Sequence, residues 1–267
     1  MKSTAVSKLT VPADRKGPRW WGVPPQRAGI LAFGAHPDDV EIHAGGTLAK
    51  YARMGRAVVV VDATEGDLAT NGSPVESRRE CARASRLLGL AARANLGFPD
   101  GGLGQDEDLV PRIVDLLRQL RPRVVLASTT STRHPDHAAL GNAVREALFF
   151  MALPRYRTAH AAAPRPEAFY QYLEVSEVAP TLLVDVSATY SLKCRAIASY
   201  TSQFAGGHGR KRTFINSGFL ELLQDRNRRF GLLAGVRHAE PFLADHPPLV
   251  DILAAKTPSS HSSKGKS

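Results

Sequence analysis

The sequence predicts a doubly wound, mostly parallel, Rossmann-like α/β sheet with helices on both faces. Three observations carry this: short β-branched runs that are apolar throughout, helical segments alternating with them, and glycines or capping residues at the joins. A strand without polar alternation is buried on both faces, as in a parallel sheet covered by helices.

Taken in order, Gly29 to Phe33 is a short apolar strand that runs directly into His36. Gly46 to Arg53 reads as a helix stopped by Gly55 in the C′ role. Ala57 to Val61 is a second buried strand. Ser77 to Leu88 is a helix with Ser77 as N-cap, Glu80 three residues on and Gly89 beyond its end. Leu109 to Leu120 is a third helix, apolar at 109, 110, 113, 114, 116, 117 and 120. The strand Arg123 to Ala127 and the helix Asp136 to Phe150 follow, then strands Phe169 to Val175 and Thr181 to Val186, then helices Leu192 to Tyr200 and Phe219 to Leu232. These elements sit in a single domain over residues 28–255. Residues 1–27 form a basic, proline-punctuated, poorly ordered extension in which Trp20-Trp21 is suited to pin it to the body or to a neighbouring subunit. Residues 256–267, rich in serine and lysine, read as a disordered tail.

Composition excludes several function classes. The formal charge of +10 suggests nucleic acid, but residues 1–27 hold six basic side chains against Asp14 alone, and residues 256–267 add three lysines. A nucleic-acid reader concentrates its basic residues on the folded surface, so none is expected as a partner. No apolar run approaches the ~20 residues of a membrane span, and the N-terminus lacks the apolar core of a secretory signal. Cys81 and Cys194, in no metal-type spacing, give no disulfide framework, and a reduced cytoplasmic setting is expected.

Two clusters of metal-type residues fall at predicted strand ends, where ligands bind in open α/β sheets. One is His36-Pro37-Asp38-Asp39; the other is Arg133-His134-Pro135-Asp136-His137. Catalytic zinc takes three nitrogen or oxygen ligands and one open position, which two such loops facing one crevice can supply. Adjacent carboxylates repel unless a cation lies between them. A dinucleotide site would instead want G-x-G-x-x-G at the first turn; Gly34-Ala35-His36-Pro37-Asp38-Asp39 puts carboxylates where phosphate oxygens would lie.

Residues 33–41, with Gly45-Gly46 following, resemble the first signature of the LmbE-like (PIG-L) N-deacetylases, and residues 133–137 resemble the second. The resemblance runs over roughly residues 28–252. Within the family it is nearest the bacillithiol-biosynthesis deacetylases of N-acetylglucosaminyl-malate, through 64–68, 95–101, 199–204 and 240–242. It implies one zinc per subunit on His36, Asp39 and His137, with Fe²⁺, Co²⁺ or Mn²⁺ as other ions such a site accepts. It further implies Asp38 as general base, His134 as the group that stabilises the oxyanion or protonates the leaving amine, and Asp136 as the carboxylate orienting His134. A small N-acetylated sugar is the implied substrate, and a homo-oligomer, commonly a hexamer, the implied assembly.

Substrate contacts are expected from Asp100 to sugar hydroxyls and from Arg165 to a malate group, since guanidinium binds carboxylate bidentately. Three positions depart from the family pattern. Ser77 stands where relatives often have arginine, so either Arg78 takes over the sugar contact or the contact is absent, and Phe219 and His238 stand where tyrosine is frequent. His43, His160, His208 and His246 have no paired motif and read as surface or loop histidines. Deacetylation of another glycoside, a chitooligosaccharide or the mycothiol precursor, is the alternative within the class. A non-catalytic metal- or sugar-binding protein is the rival outside it, and would need neither Asp38 nor His134.

Overall fold

Alternate residues of the first two predicted strands go to opposite faces of one sheet. In the computed structural model, which describes residues 17–174, 178–205 and 209–246, these strands are β2 (Ile30–Gly34) and β3 (Val58–Thr64). Leu31, Phe33, Val59 and Val61 enter one core, whereas Ile30, Ala32, Val58 and Val60 enter another. Period-two alternation with both faces apolar is why these runs contain no exposed residue.

Six further strands complete the sheet: β1 (Arg19–Trp21), β4 (Ala92–Phe98), β5 (Val124–Ser128), β6 (Ala168–Tyr172), β7 (Leu182–Asp185) and β8 (Ala239–Ala244). The order is β1-β4-β3-β2-β5-β6-β8-β7. From β4 to β6 all neighbours are parallel, β1 joins β4 antiparallel, and β8 lies antiparallel between β6 and β7. Helices α3 (Leu109–Leu120) and α4 (Pro135–Phe150) cover one face. Helices α1 (Asp39–Arg53), α2 (Pro74–Leu88) and α5 (Tyr190–Ile197) cover the other; α6 (Thr201–Phe204) and α7 (Phe219–Leu233) follow. The fold is therefore the expected doubly wound α/β sheet. Because β2 pairs with both β3 and β5, the strand order reverses at β2/β5, and a crevice opens outside their carboxyl ends.

Several elements differ from the sequence reading, each for a physical reason. Helix α1 starts at Asp39 and passes through Gly45-Gly46, which lower helix propensity and make residue 46 look like a start. The Glu240 carboxylate stabilises this turn. It accepts the Gly46 and Thr47 main-chain N–H groups at 2.9 and 2.7 Å, the Thr47 hydroxyl at 2.6 Å and the buried Lys193 ammonium at 2.6 Å. A Cβ on Gly46 would lie 2.8 Å from that of Val186, so the close approach needs glycine. The capping box of α2 is Ser73 with Glu76, not Ser77 with Glu80: Ser73 Oγ accepts the Glu76 N–H, and Pro74 opens the helix. Glu80 instead accepts from the Ser202 main chain and from the hydroxyls of Thr201 and Ser202. The predicted helix over 192–200 starts earlier, at Tyr190, and stops at Ile197 before α6 begins. Trp20 packs on the core beneath α3 and α4 as part of β1. Residues 1–16, 256–267 and Val175 lie outside the described residues.

Strand β4 escapes a sequence reading because Arg93, Asn95 and Gly97 break its apolar run. Those polar groups are buried but paired. Arg93 donates to both oxygens of Asp62, at 2.6 and 2.8 Å, and to Glu41 at 2.5 Å, while Asn95 donates to the Thr64 carbonyl. Burial lifts the Asp62 carboxyl to about 6, against the pull of the adjacent guanidinium. Arg93→Ala would strand two buried carboxylates, and removing one partner of a buried ion pair costs ~3–5 kcal/mol. Urea denaturation should report a loss of that size; an unchanged midpoint would show that water replaces the guanidinium.

Candidate metal centre

Both histidine-aspartate segments arrive at the crevice from adjacent strands. The first leaves β2 and turns sharply into α1. Asp38 caps that helix with φ 100°, a left-handed conformation unusual for a non-glycine residue and a mark of strain held by its surroundings. The turn directs the Asp39 carboxylate back over His36, whose main-chain N–H donates to Asp39 Oδ2 at 2.8 Å. The second segment leaves β5 and enters α4, where Pro135 takes the first helical position. Ser128 Oγ donates to the His137 carbonyl at 2.7 Å, fixing the first turn of α4 against the end of β5. Gly141 permits that approach, since a Cβ there would sit 2.6 Å from the Ser128 carbonyl oxygen.

Three ligand-type atoms converge. His36 Nδ1 lies 3.2 Å from His137 Nε2, Asp39 Oδ2 lies 3.6 Å from His36 Nδ1, and Asp39 Oδ2 lies 3.3 Å from His137 Nε2. Ligands about 2.0–2.1 Å from a tetrahedral zinc stand about 3.3–3.4 Å apart, so the donor set fits such an ion. The far nitrogen of each ring is tethered to carboxylate. His36 Nε2 is 3.0 Å from Asp100 Oδ1 and 3.5 Å from Asp136 Oδ2; His137 Nδ1 is 2.5 Å from Glu174 Oε1. A metal-binding histidine is held in this way, with its other N–H given to an acceptor that fixes the tautomer.

The electrostatics agree. Burial alone would lower the His36 pKa, yet the hydrogen bonds to Asp100, Asp136 and Asp39 raise it to about 12. His137 is likewise raised to about 10, by Asp39 and Glu174 against desolvation. The cluster holds protons because it is a negative cavity, and a divalent cation can take their place. Asp38 is raised well above the usual carboxylate range, first by burial and then by Asp39 and Glu41, whereas Asp39 is held low by His137 and His36 in spite of its burial.

Other residues fall in two groups. His134 is exposed at the crevice, its ring centroid 4.7 Å from that of His36 and 4.6 Å from that of His137. Its Nδ1 caps α4 by accepting the Asp136 main-chain N–H at 3.2 Å, which leaves Nε2–H as the donor. Its pKa is lowered, by desolvation and then by charge on His137 and His36. The Asp136 carboxylate does not reach His134; it accepts Gly101 N–H at 2.7 Å and Leu103 N–H at 3.2 Å and faces His36. Asp100, expected on the sugar, is spent on His36 and on the Leu68 N–H.

Of the expected substrate contacts, Arg165 lies away from the crevice of this chain, whereas Arg78 is paired beside it. Arg165 stacks over Phe149, 5.3 Å from the ring centroid, at the C-terminal end of α4. At 1.5 Å per residue that end is about 20 Å from the histidines at its start. Arg78 pairs with Glu65 at 3.0 Å beside Arg19. Phe219 packs with Ile42, Ile197 and Leu223, and His238 stacks on Tyr190 at 3.8 Å, so both departures from tyrosine face packing partners. His43 is buried, not a surface group: it stacks on Tyr172 one turn after Asp39, inside the part of α1 that the sequence reading leaves out. His160 pairs with Asp115, His246 is exposed, and His208 lies outside the described residues. Sequence reasoning missed Glu174. Its signal was position: like the two recognised segments, it follows the carboxyl end of a parallel strand, β6.

A doubly wound sheet with a His₂Asp cluster at its switch point has the donor set that a metal-dependent hydrolase would need. Residues 31–148 match the PIG-L family model, GlcNAc-PI de-N-acetylase. The chain is 31% identical over 186 residues to a diacetylchitobiose deacetylase of Thermococcus kodakarensis, covering 66% of this chain and 70% of that protein. It is 27% identical over 192 residues to a probable N-acetyl-α-D-glucosaminyl L-malate deacetylase 2 of Bacillus anthracis, covering 66% and 81%. Among solved structures it resembles the conserved protein TT1542 of Thermus thermophilus, with a TM-score of 0.78 and 34% identity over 85% of this chain and 99% of the other. The chain belongs to the LmbE-like (PIG-L) deacetylase family. No described helix is long and apolar enough to cross a membrane.

Proposed function

We propose that the chain is a zinc-dependent deacetylase that removes the N-acetyl group of an N-acetylglucosaminide. The observation that carries the reading is the mutual spacing of His36 Nδ1, Asp39 Oδ2 and His137 Nε2, with both rings braced by carboxylates behind. Zinc bound there supplies Lewis acidity, making water acidic enough to attack at neutral pH and polarising the acetyl carbonyl. Asp38, whose carboxylate has no hydrogen-bond partner among the described residues, takes the proton from the attacking water. His134 presents Nε2–H to the oxygen on which negative charge develops. Collapse breaks the C–N bond, the amine takes the proton that Asp38 removed from the water, and acetate and the free amino sugar leave.

The N-acetylglucosaminyl-malate of bacillithiol biosynthesis is one candidate substrate. Its carboxylates need a cationic anchor, and Arg165 is too distant to serve in this chain. That observation moves weight to a neutral N-acetylglucosaminide such as a chitooligosaccharide. A cytoplasmic homo-oligomer is the setting this reading carries with it. Acetate release from a panel of N-acetylglucosaminides with acidic and neutral aglycones, on protein of measured metal content, is the test. A kcat/KM at least tenfold higher for neutral members is expected. Preference for the malate conjugate would restore the bacillithiol assignment, and no release from any member would overturn the enzymatic reading.

A further inference from the structure

The ring of His137 is backed from outside its own motif, by a glutamate 37 residues further along the chain. Glu174 Oε1 lies 2.5 Å from His137 Nδ1, and Glu174 Oε2 accepts the hydroxyl of Thr132. Thr132 Oγ1 in turn accepts the main-chain N–H of His134 at 3.3 Å. One carboxylate thus binds the back of one histidine and, through one threonine, the loop that carries the other. It is also the point where β6 touches the site: β6 is the parallel neighbour of β5, from whose end this loop departs.

We propose that Glu174 is the positioning residue of the site, which sets the tautomer of His137 and the placement of the His134 loop together. With His137 donating from Nδ1 to the Glu174 oxygen 2.5 Å away, its Nε2 lone pair is left to face the ion. Glu174 touches neither substrate nor ion and acts through His137 and Thr132. A ring with the opposite tautomer would turn an N–H toward the metal and could not ligate. The proposal rests on the reading of His137 as a metal ligand, and the experiment separates the two.

Zinc affinity of the metal-free protein is measured by chelator competition for the wild type, Glu174→Ala, Glu174→Gln and Thr132→Val. Folding is checked by thermal denaturation of each without metal, and Co²⁺ absorption of each loaded form records ligand geometry. Loss of an outer partner of a metal-binding histidine costs ~10–100-fold in affinity, and that is the loss expected for Glu174→Ala. Glu174→Gln keeps shape and an acceptor oxygen but not the charge, and should recover part of it. Thr132→Val should keep wild-type zinc affinity while lowering kcat, since only the His134 loop is released. If both Glu174 variants bind zinc as tightly as the wild type with unchanged Co²⁺ spectra, the proposal is overturned. If Glu174→Ala does not fold, Glu174→Gln alone decides on the same criterion. A wild-type chain that takes up no zinc overturns the reading of His137 itself, a result distinct from tight binding by every variant.

Discussion

Asp38→Asn is expected to keep the metal and lose turnover, by ~10²–10⁴ in kcat, the typical contribution of a positioned general base. Asparagine suits the test for a conformational reason. Residue 38 sits at φ 100°, and asparagine tolerates left-handed backbone where alanine is strained. The substitution therefore removes the basic oxygen without unwinding the turn that aims Asp39. The Asp38 carboxyl is pushed up by burial and by its carboxylate neighbours, which favours its taking a proton. Steady-state kinetics with metal analysis on the same sample settle the matter. Deacetylation at the wild-type rate would remove Asp38 from the mechanism.

His137→Ala should fail at the earlier step, losing stoichiometric zinc and activity together. It deletes one of three converging ligand atoms, a larger defect than the ~10–100-fold cost of losing an outer partner. Added metal should then no longer raise the melting temperature, whereas a saturating ligand stabilises the wild type by ~2.7 kcal/mol at one hundred times Kd. The pH dependence has a definite sign. The His36 and His137 pKa values, raised to about 12 and about 10 by the surrounding carboxylates, mean that the metal-free cluster retains protons at pH 7. Zinc must displace those protons, so apparent affinity rises with pH through neutrality. Titration calorimetry of the wild type in buffers of different ionisation enthalpy counts the protons; binding without proton release would mean that the histidines are not the ligands.

Much of this site is legible in the sequence, because its signals are local. A strand that ends in His36-Pro37-Asp38-Asp39 and another followed by His134 to His137 carry ligand types at positions where parallel sheets open. The strand order explains why they meet, since β2 and β5 are direct neighbours. What is not legible depends on pairing over long sequence separations. Arg93 reads as a strand breaker until Asp62 and Glu41 are placed beside it. Gly45-Gly46 reads as a helix start until Glu240 is seen to support the turn from nearly two hundred residues away. Asp100 and Asp136 are expected on the sugar and on His134, and both carboxylates instead brace His36. A motif names the residue types that a site requires, but not which carboxylate faces which ring.

The Glu240 contact bears on the order in which the site is completed during synthesis. Asp39 and His43 ride on a helix whose middle turn gives two main-chain hydrogen bonds to a residue of the last described strand. Ribosomal synthesis delivers His36 to His137 long before it delivers Glu174, Lys193 or Glu240. A nascent chain thus holds every residue of the two signatures while α1 still lacks its central support and His137 its brace. Residues 31–148, the span that matches the family model, contain none of those three later groups. The two signatures thus precede in the chain the groups that lock their geometry.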